Sequence, residues 1–176
     1  VHEIPELKWK ELGKHISNII KLEPNENIIK SIPVYDFDNN SVITIITKNG
    51  MIKRTGIADF KVSRYSKPMT AIKLKDDDFV VSVTDKIGRE IFISTRNGLG
   101  LRYLTNEVAL TGCKASGVRA ISLKNDYVVS MDIFNNAEFV VVATCKGTFK
   151  RVRLSEFEVT SRARKGIQLI RDVKTN

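Results

Sequence analysis

The sequence predicts an all-β protein made of repeated four-stranded antiparallel blades, arranged as an open or partial propeller-like array. The first observation is a repeat, because Gly50, Gly98 and Gly147 follow one another at intervals of 48 and 49 residues. The second is that each interval holds about four short β-branched segments, which is typical of a propeller blade. The third is that 42% of the 176 residues are hydrophobic, enough to fill a core.

Short apolar runs separated by turn residues define the strands predicted for the first repeat. These strands are Val42–Thr47, Met51–Thr55, Thr70–Leu74 and Phe79–Val83. Lys48-Asn49-Gly50 and Arg96-Asn97-Gly98 are predicted to form tight primed hairpin turns, since Asn-Gly accepts the positive φ that such turns need. Lys146-Gly147 is expected to form the third turn.

The segment that precedes the first strand is the only stretch with a helical pattern. Leu7, Leu12, Ile16 and Ile19 would suit an amphipathic helix over Glu6–Ile20. The repeat register predicts instead a long connecting loop, with one helical turn near Lys10–Gly13.

The repeats also predict the organisation of the chain. We expect one domain over residues 1–176, in which residues 1–24 form a junction and partial blade. Three repeats would follow at 25–74, 75–123 and 124–170, with the start of a further repeat at 171–176. The opening VHEI resembles IADF at Ile57, TNEV at Thr105 and LSEF at Leu154, so we expect this domain to be cut from a longer array.

The charge of the chain is strongly basic and unevenly distributed. Lys and Arg number 29 against 20 Asp and Glu, which gives a net charge of +9. Nine cationic and three acidic residues lie between Thr144 and Asn176, so most of the surplus is near the C-terminus. A basic surface of this kind favours an anionic partner such as nucleic acid. No apolar run approaches the roughly 18 residues of a membrane span.

Three stretches share one motif. They are TKNGMIKRTGIADF from Thr47, TRNGLGLRYLTNEV from Thr95 and TCKGTFKRVRLSEF from Thr144. This Gly-x-x-Lys-Arg turn, followed by an apolar-x-acidic-apolar segment, resembles the C-terminal β-pinwheel domains of the A subunits of bacterial type IIA topoisomerases. The opening VHEIPELKWKELGKHISNII is more similar to the topoisomerase IV branch than to gyrase.

The resemblance implies a disc or open crescent of blades that exchange strands and carry a basic outer rim along which DNA bends. Such a domain is non-catalytic and helps the enzyme select the duplex that is passed during decatenation and supercoil relaxation. The implied partners are double-stranded DNA and the other parts of an A2B2 holoenzyme, which are the rest of the A subunit and the ATPase B subunit. We expect no cofactor or metal in this chain, although the holoenzyme would need ATP and Mg²⁺. We also expect a cytoplasmic, nucleoid-associated location in a bacterium.

Gyrase A subunits carry a box with the sequence Gln-Arg-Arg-Gly-Gly-Lys-Gly, which allows full DNA wrapping. None of the corresponding stretches matches it: SRYSKP from Ser63, GCKASG from Gly112 and SRARKG from Ser161. We therefore expect modest bending rather than wrapping. A gyrase-type wrapping domain and a propeller-like protein-interaction scaffold are kept as alternatives.

The predicted DNA contacts are cations that recur at equivalent points of successive blades and neutralise phosphates. They are Lys53, Arg54, Arg64, Lys67, Arg102, Lys114, Arg119, Lys150, Arg151, Arg153, Arg162, Arg164 and Lys165. A second interpretation of each is a solvated edge that opposes aggregation. Arg54 and Arg151 would alternatively pair with Asp59 and Glu156 to fix the blade.

Other reactive residues do not combine into a catalytic or metal-binding motif. Cys113 and Cys145 lie 32 positions apart, and the histidines are His2 and His15, a stock from which neither a zinc site nor a disulfide framework can be built. Tyr127 is in register with Phe79, which predicts a core strand residue rather than a nucleophile. We expect no catalytic residue in the chain.

Overall fold

The computed structural model describes residues 2, 4–64, 68–75 and 77–170. In this part of the chain the regular elements are β-strands and short 3₁₀ turns. The strands are β1 Val42–Thr47, β2 Met51–Gly56, β3 Val80–Thr84, β4 Glu90–Thr95, β5 Leu99–Leu104, β6 Val118–Arg119, β7 Val128–Phe134, β8 Phe139–Ala143, β9 Phe149–Arg153 and β10 Ile167–Gln168. The 3₁₀ turns are Ile16–Asn18, Ile57–Phe60, Thr105–Glu107 and Leu154–Glu156. The predicted all-β class is confirmed.

Over the described residues, three separate antiparallel sheets follow one another along the chain. The first sheet has the order β3-β1-β2-β6, the second has the order β10-β5-β4-β7, and the third is the hairpin β8-β9. Each sheet is built on a hairpin, since β1 pairs with β2, β4 with β5 and β8 with β9.

Neighbouring sheets exchange strands. The chain leaves the second hairpin after β5, returns to pair β6 with β2 of the first sheet, and only then adds β7 to its own sheet. The third hairpin repeats this path, because β10 follows β9 but pairs with β5 of the second sheet. Each hairpin is therefore attached to the preceding sheet by the segments on both of its sides.

Both faces of the central strands of the first two sheets are largely buried, and β1, with the sequence VITIIT, is accordingly almost continuously apolar. Ile43 and Ile45 pack on one side of the first sheet, whereas Ile46 points to the other side and packs against the second sheet. In the second sheet, Ile91 and Ile93 face the first sheet while Phe92 packs against the third. Alternate residues thus fill successive cores, as the pleat of a strand requires.

The hairpin turns are three-residue turns rather than the predicted primed turns. Gly50 has a φ of +79° and donates its amide to the carbonyl oxygen of Thr47 at 3.0 Å. Among the described residues, positive φ outside glycine occurs at Asp77, Asn125 and Ala163, so only the glycine of Asn49-Gly50 is left-handed. This pattern is typical of a type I turn closed by a glycine bulge. The turns at Gly98 and Gly147 form the same bond to Thr95 and Thr144.

The predicted strands of the first repeat are largely confirmed, with one exception. Val42–Thr47 matches β1, Met51–Thr55 lies within β2, and Phe79–Val83 is β3 displaced by one residue. The prediction of a strand at Thr70–Leu74 is wrong. Its later equivalents, β6 and β10, pair with the second strand of a preceding hairpin, and the described residues before β1 contain no strand.

The N-terminal segment is a loop, as predicted, although its 3₁₀ turn lies at Ile16–Asn18 instead of Lys10–Gly13. The side chain of His15 caps this turn by accepting the amide of Ser17. None of the described helical segments is long or apolar enough to cross a membrane.

Candidate nucleic-acid interface

The second and the third repeat each contain a connection that runs from its own sheet back to the edge of the preceding sheet. The second connection, residues 109–117, ends at β6, and the third, residues 158–166, ends at β10. Backbone hydrogen bonds join each connection to a residue near the end of the repeat before it. The amide of Lys73 donates to Ala115, and the amide of Ser122 donates to Arg164. The connections therefore lie at repeated positions on the same edge of the array.

Exposed cations with no carboxylate partner among the described residues lie on these connections, on the strand β6 that follows one of them, or in the equivalent segment of the first repeat. We call six of them the connection cations: Arg64, Lys73, Lys114, Arg119, Arg164 and Lys165. The ion pairs seen among the described residues involve other side chains, so these cations have no carboxylate within 4 Å in that part of the chain. Five of the six belong to the predicted set. The predicted Lys67 lies outside the described residues.

Lys73 was missed by the sequence prediction, although the repeat frame contained a signal. Its position corresponds to Ser122, because the two residues follow Ile72 and Ile121, which are 49 positions apart. A search for cations at every register position, rather than only in the motif and the connections, would have found it.

Lys53 differs from the prediction of an exposed phosphate contact. Its side chain is 1% exposed and its Nζ donates to the carbonyl oxygens of Ala71 and Cys113, at 2.5 and 2.8 Å. Burial lowers the pKa of this ammonium, while the nearby Cys113 and Asp59 oppose the shift. The residue joins β2 to Ala71 and to the second connection from inside the protein, where a duplex cannot reach it.

Arg54 and Arg102 also differ from the prediction, because both are half-buried between sheets. The guanidinium of Arg54 donates to the carbonyls of Thr105 and Val108, at 3.0 and 3.1 Å. Desolvation lowers the pKa of Arg54. Arg102 makes the equivalent pair of bonds to Leu154 and Phe157. Each of these two arginines thus holds the 3₁₀ turn of the following repeat, and the pairing of Arg54 with Asp59 that we considered is wrong.

The third copy of the motif is the exposed one. Lys150, Arg151 and Arg153 lie on β9 and are open to solvent. The guanidinium of Arg151 stacks over the ring of Phe139 at 4.1 Å, with Arg153 at 6.0 Å. No ion pair between Arg151 and Glu156 is seen among the described residues.

Arg162 is used to fix the third connection. Its backbone amide donates to the carboxylate of Glu107, and its guanidinium donates to the carbonyls of Glu107 and Arg119. The predicted residue therefore lies on the correct edge but points its charge into backbone acceptors. Arg164 and Lys165, which follow it, line a groove beside β10 together with the acidic Glu156 and Glu158.

Cations also lie on the hairpin turns, for which the sequence analysis predicted only a structural role. Lys48 lies between two rings, with its Nζ 5.0 Å from the centre of Phe79 and 5.1 Å from that of Tyr127. Arg96 stacks on the same Tyr127 ring at 5.7 Å. Tyr127 therefore sits half-buried under two cations just before β7, and its prediction as a core strand residue is wrong.

Tyr103 and Cys113 are two further titratable residues with shifted pKa values. The Tyr103 hydroxyl is fully buried, and its desolvation, together with the nearby Glu107, raises its pKa. Burial likewise raises the pKa of the Cys113 thiol, which does not favour a reactive thiolate. Over the described part of the chain, His, Cys, Asp and Glu side chains form no group of three that could hold a metal ion.

Comparison with known proteins gives a consistent result. A family model described as DNA gyrase C-terminal domain, beta-propeller, matches residues 1–34, 42–84, 89–135 and 138–176. The chain is 41% identical over its full length to the A subunit of DNA topoisomerase 4 from Bacillus subtilis, and 36% identical to that from Staphylococcus epidermidis. It spans 22% of the length of each of these relatives.

Solved structures point in the same direction. The crystal structure of the C-terminal domain of a DNA topoisomerase IV superposes with a TM-score of 0.90 at 42% identity, covering 98% of this chain and 54% of the other. The structure of a DNA gyrase A C-terminal domain gives a TM-score of 0.74 at 25% identity, covering 90% of this chain and 52% of that one. The similarity is therefore greater to the topoisomerase IV domain than to this gyrase domain.

Proposed function

The chain belongs to the family of DNA gyrase C-terminal β-propeller domains, and on that premise we propose that it is a DNA-binding and DNA-bending module of a topoisomerase IV A subunit. In this proposal the chain performs no chemistry and needs no cofactor. It presents cations to a duplex, while strand passage in the bacterial cytoplasm is carried out by an ATPase B subunit, using ATP and Mg²⁺, together with the rest of the A subunit.

The observation that carries the proposal is the set of connection cations. They are exposed, have no carboxylate partner among the described residues, and lie on the repeated connections, on β6, or in the equivalent segment of the first repeat. Unpaired cations on a repeated backbone suit phosphates, which also form a repeated array and carry no base information. A surface of this kind would bind duplexes of any sequence and bend them along its own curve.

Salt dependence provides the first test. If about five phosphates are neutralised, log K should fall with log salt at a slope near −4.5. Fluorescence anisotropy with random-sequence duplexes of about 40 base pairs, long enough to reach several connections, measures the affinity at a series of salt concentrations. Absence of binding at low salt would favour the protein-interaction scaffold. Positive writhe trapped on relaxed plasmid would favour gyrase-type wrapping.

Charge reversal locates the surface. We expect replacement of Lys114, Arg119, Arg164 and Lys165 by Glu to lower the affinity at least about 100-fold, because four favourable phosphate contacts become repulsive. The matched control replaces Lys8, Lys10, Lys14 and Lys30, which are exposed on the N-terminal loop, and changes the net charge equally. Equal losses in the two variants would contradict the proposed surface.

A further inference from the structure

The arginine of the repeated motif is placed at the root of each basic connection. The guanidinium of Arg54 donates to the carbonyl of Thr105, in the turn Thr105–Glu107, and to the carbonyl of Val108, which follows that turn. The backbone carbonyl of Arg54 accepts a hydrogen bond from the amide of Thr111 at 2.8 Å. The connection that starts there carries Lys114 and leads into β6, which carries Arg119. Backbone and side chain of one residue therefore hold the start of the segment that presents two connection cations.

Arg102 repeats this arrangement one sheet later. Its guanidinium binds the carbonyls of Leu154 and Phe157, and its own carbonyl accepts the amide of Thr160 at 2.9 Å. Its Nε also pairs with Glu90 at 2.5 Å, and both side chains of this pair are largely buried. The connection held in this way carries Arg164 and Lys165.

We propose that Arg54 and Arg102 are positioning residues that fix the spacing between successive groups of connection cations and thereby set the curvature imposed on bound DNA. This inference rests on the proposed function. A guanidinium suits the task because its rigid, planar fork can bind two carbonyls at once, whereas an ammonium is a point charge on a flexible stem. The two arginines act on DNA through the connections and do not touch it.

A charge-conserving substitution separates this role from a phosphate contact. Arg102→Lys keeps the positive charge but removes the two-carbonyl fork. We expect its affinity for a duplex to stay within about threefold of the wild type, since the connection cations are unchanged. We expect the DNA bend, measured by energy transfer between dyes on the two duplex ends, to fall at least about twofold, because Arg164 and Lys165 on the third connection lose their fixed position.

The third copy of the motif supplies a matched control. Arg151 occupies the same motif position, but its guanidinium stacks on Phe139 and holds no turn of the described structure. Arg151→Lys should leave both affinity and bend unchanged. An unaltered bend in Arg102→Lys would overturn the inference, and so would an affinity loss as large as that of the charge-reversed connections, which would identify Arg102 as a phosphate contact.

A second variant covers the case in which Arg102→Lys does not fold. Glu90→Gln keeps the shape of the partner and the arginine itself but removes the carboxylate that orients the guanidinium. It should reduce the bend at constant affinity, and a bend equal to that of the wild type would overturn the inference. Failure of the proposed function is distinguishable from these outcomes, because it appears as weak, salt-insensitive binding by the wild type.

Discussion

The second and third sheets use the same motif in opposite surroundings. The second sheet has four strands and is covered on both faces, whereas over the described residues the third sheet is a hairpin with one open face. Val141 and Phe149 on that face are 68% and 72% exposed. Arg102 is a half-buried clamp between sheets and Arg151 is an exposed stacking group. The role of a motif residue is thus decided by what packs against it.

The largest expected difference between the two regions concerns these arginines. Arg102→Ala removes two charged hydrogen bonds and leaves the carboxylate of Glu90 largely buried without its partner. We expect the free energy of unfolding to fall by about 2–4 kcal/mol. Arg151→Ala should cost less than about 1 kcal/mol, since it removes one exposed cation–π contact. Urea denaturation measures both, and similar losses would abolish the distinction between the sheets.

Lys53 and Lys150 form the second matched pair, because they occupy the same motif position. Lys53→Met retains the apolar stem but leaves the carbonyls of Ala71 and Cys113 without their donor. The expected loss of unfolding free energy is about 1–3 kcal/mol, against about 0.5 kcal/mol or less for the exposed Lys150→Met. A fall in DNA affinity in folded Lys53→Met would show that the buried ammonium reaches the duplex after all.

The pH dependence of stability gives a signature for Lys53. Burial lowers its pKa from 10.5, so between the lowered and the ordinary value the unfolded chain binds more protons than the folded protein. Stability gained from this residue therefore rises as the pH increases through that alkaline window. Lys53→Met should lose this rise. Identical alkaline profiles in the variant and the wild type would contradict the assignment.

The smallest expected difference concerns the turn glycines. Gly50 and Gly147 have φ values of +79° and +81°, so alanine is strained at both positions by about 1 kcal/mol. A Cβ at Gly50 would also lie 3.1 Å from Leu123 and 3.2 Å from Ile121, whereas Gly147 has open space. We expect Gly50→Ala to cost about 1 kcal/mol more than Gly147→Ala. Thermal unfolding of the two variants tests this, and equal costs would show that the first turn relaxes freely.

Much of the fold could be predicted because its signals are local and repeated. The strands β1 and β2 and the three turns follow from short apolar runs on either side of a glycine. The interval of 48 or 49 residues then predicts the corresponding elements in the later repeats. The type of turn could not be predicted, because Asn-Gly suits both a primed turn and a glycine bulge. Thr70–Leu74 failed for a different reason, since pairing of a strand depends on a neighbour that the local sequence does not reveal.

The candidate site was predicted only in part. Lys114, Arg119, Arg164 and Lys165 are exposed, as polar connections usually are. Lys53 and Arg54 were expected in the same row, because a cation in a hairpin normally faces solvent.

The sequence by itself determined the all-β repeat, its period and its surplus of positive charge, since these depend on residue type and spacing along the chain. Only the tertiary structure decided which cations are free. Packing of one sheet on the next buries one face of β2 and of β5. The backbone carbonyls at the 3₁₀ turns Thr105–Glu107 and Leu154–Glu156 and at the residue after each turn then accept hydrogen bonds from Arg54 and Arg102. A positive charge remains available for a phosphate where no such carbonyl lies within its reach.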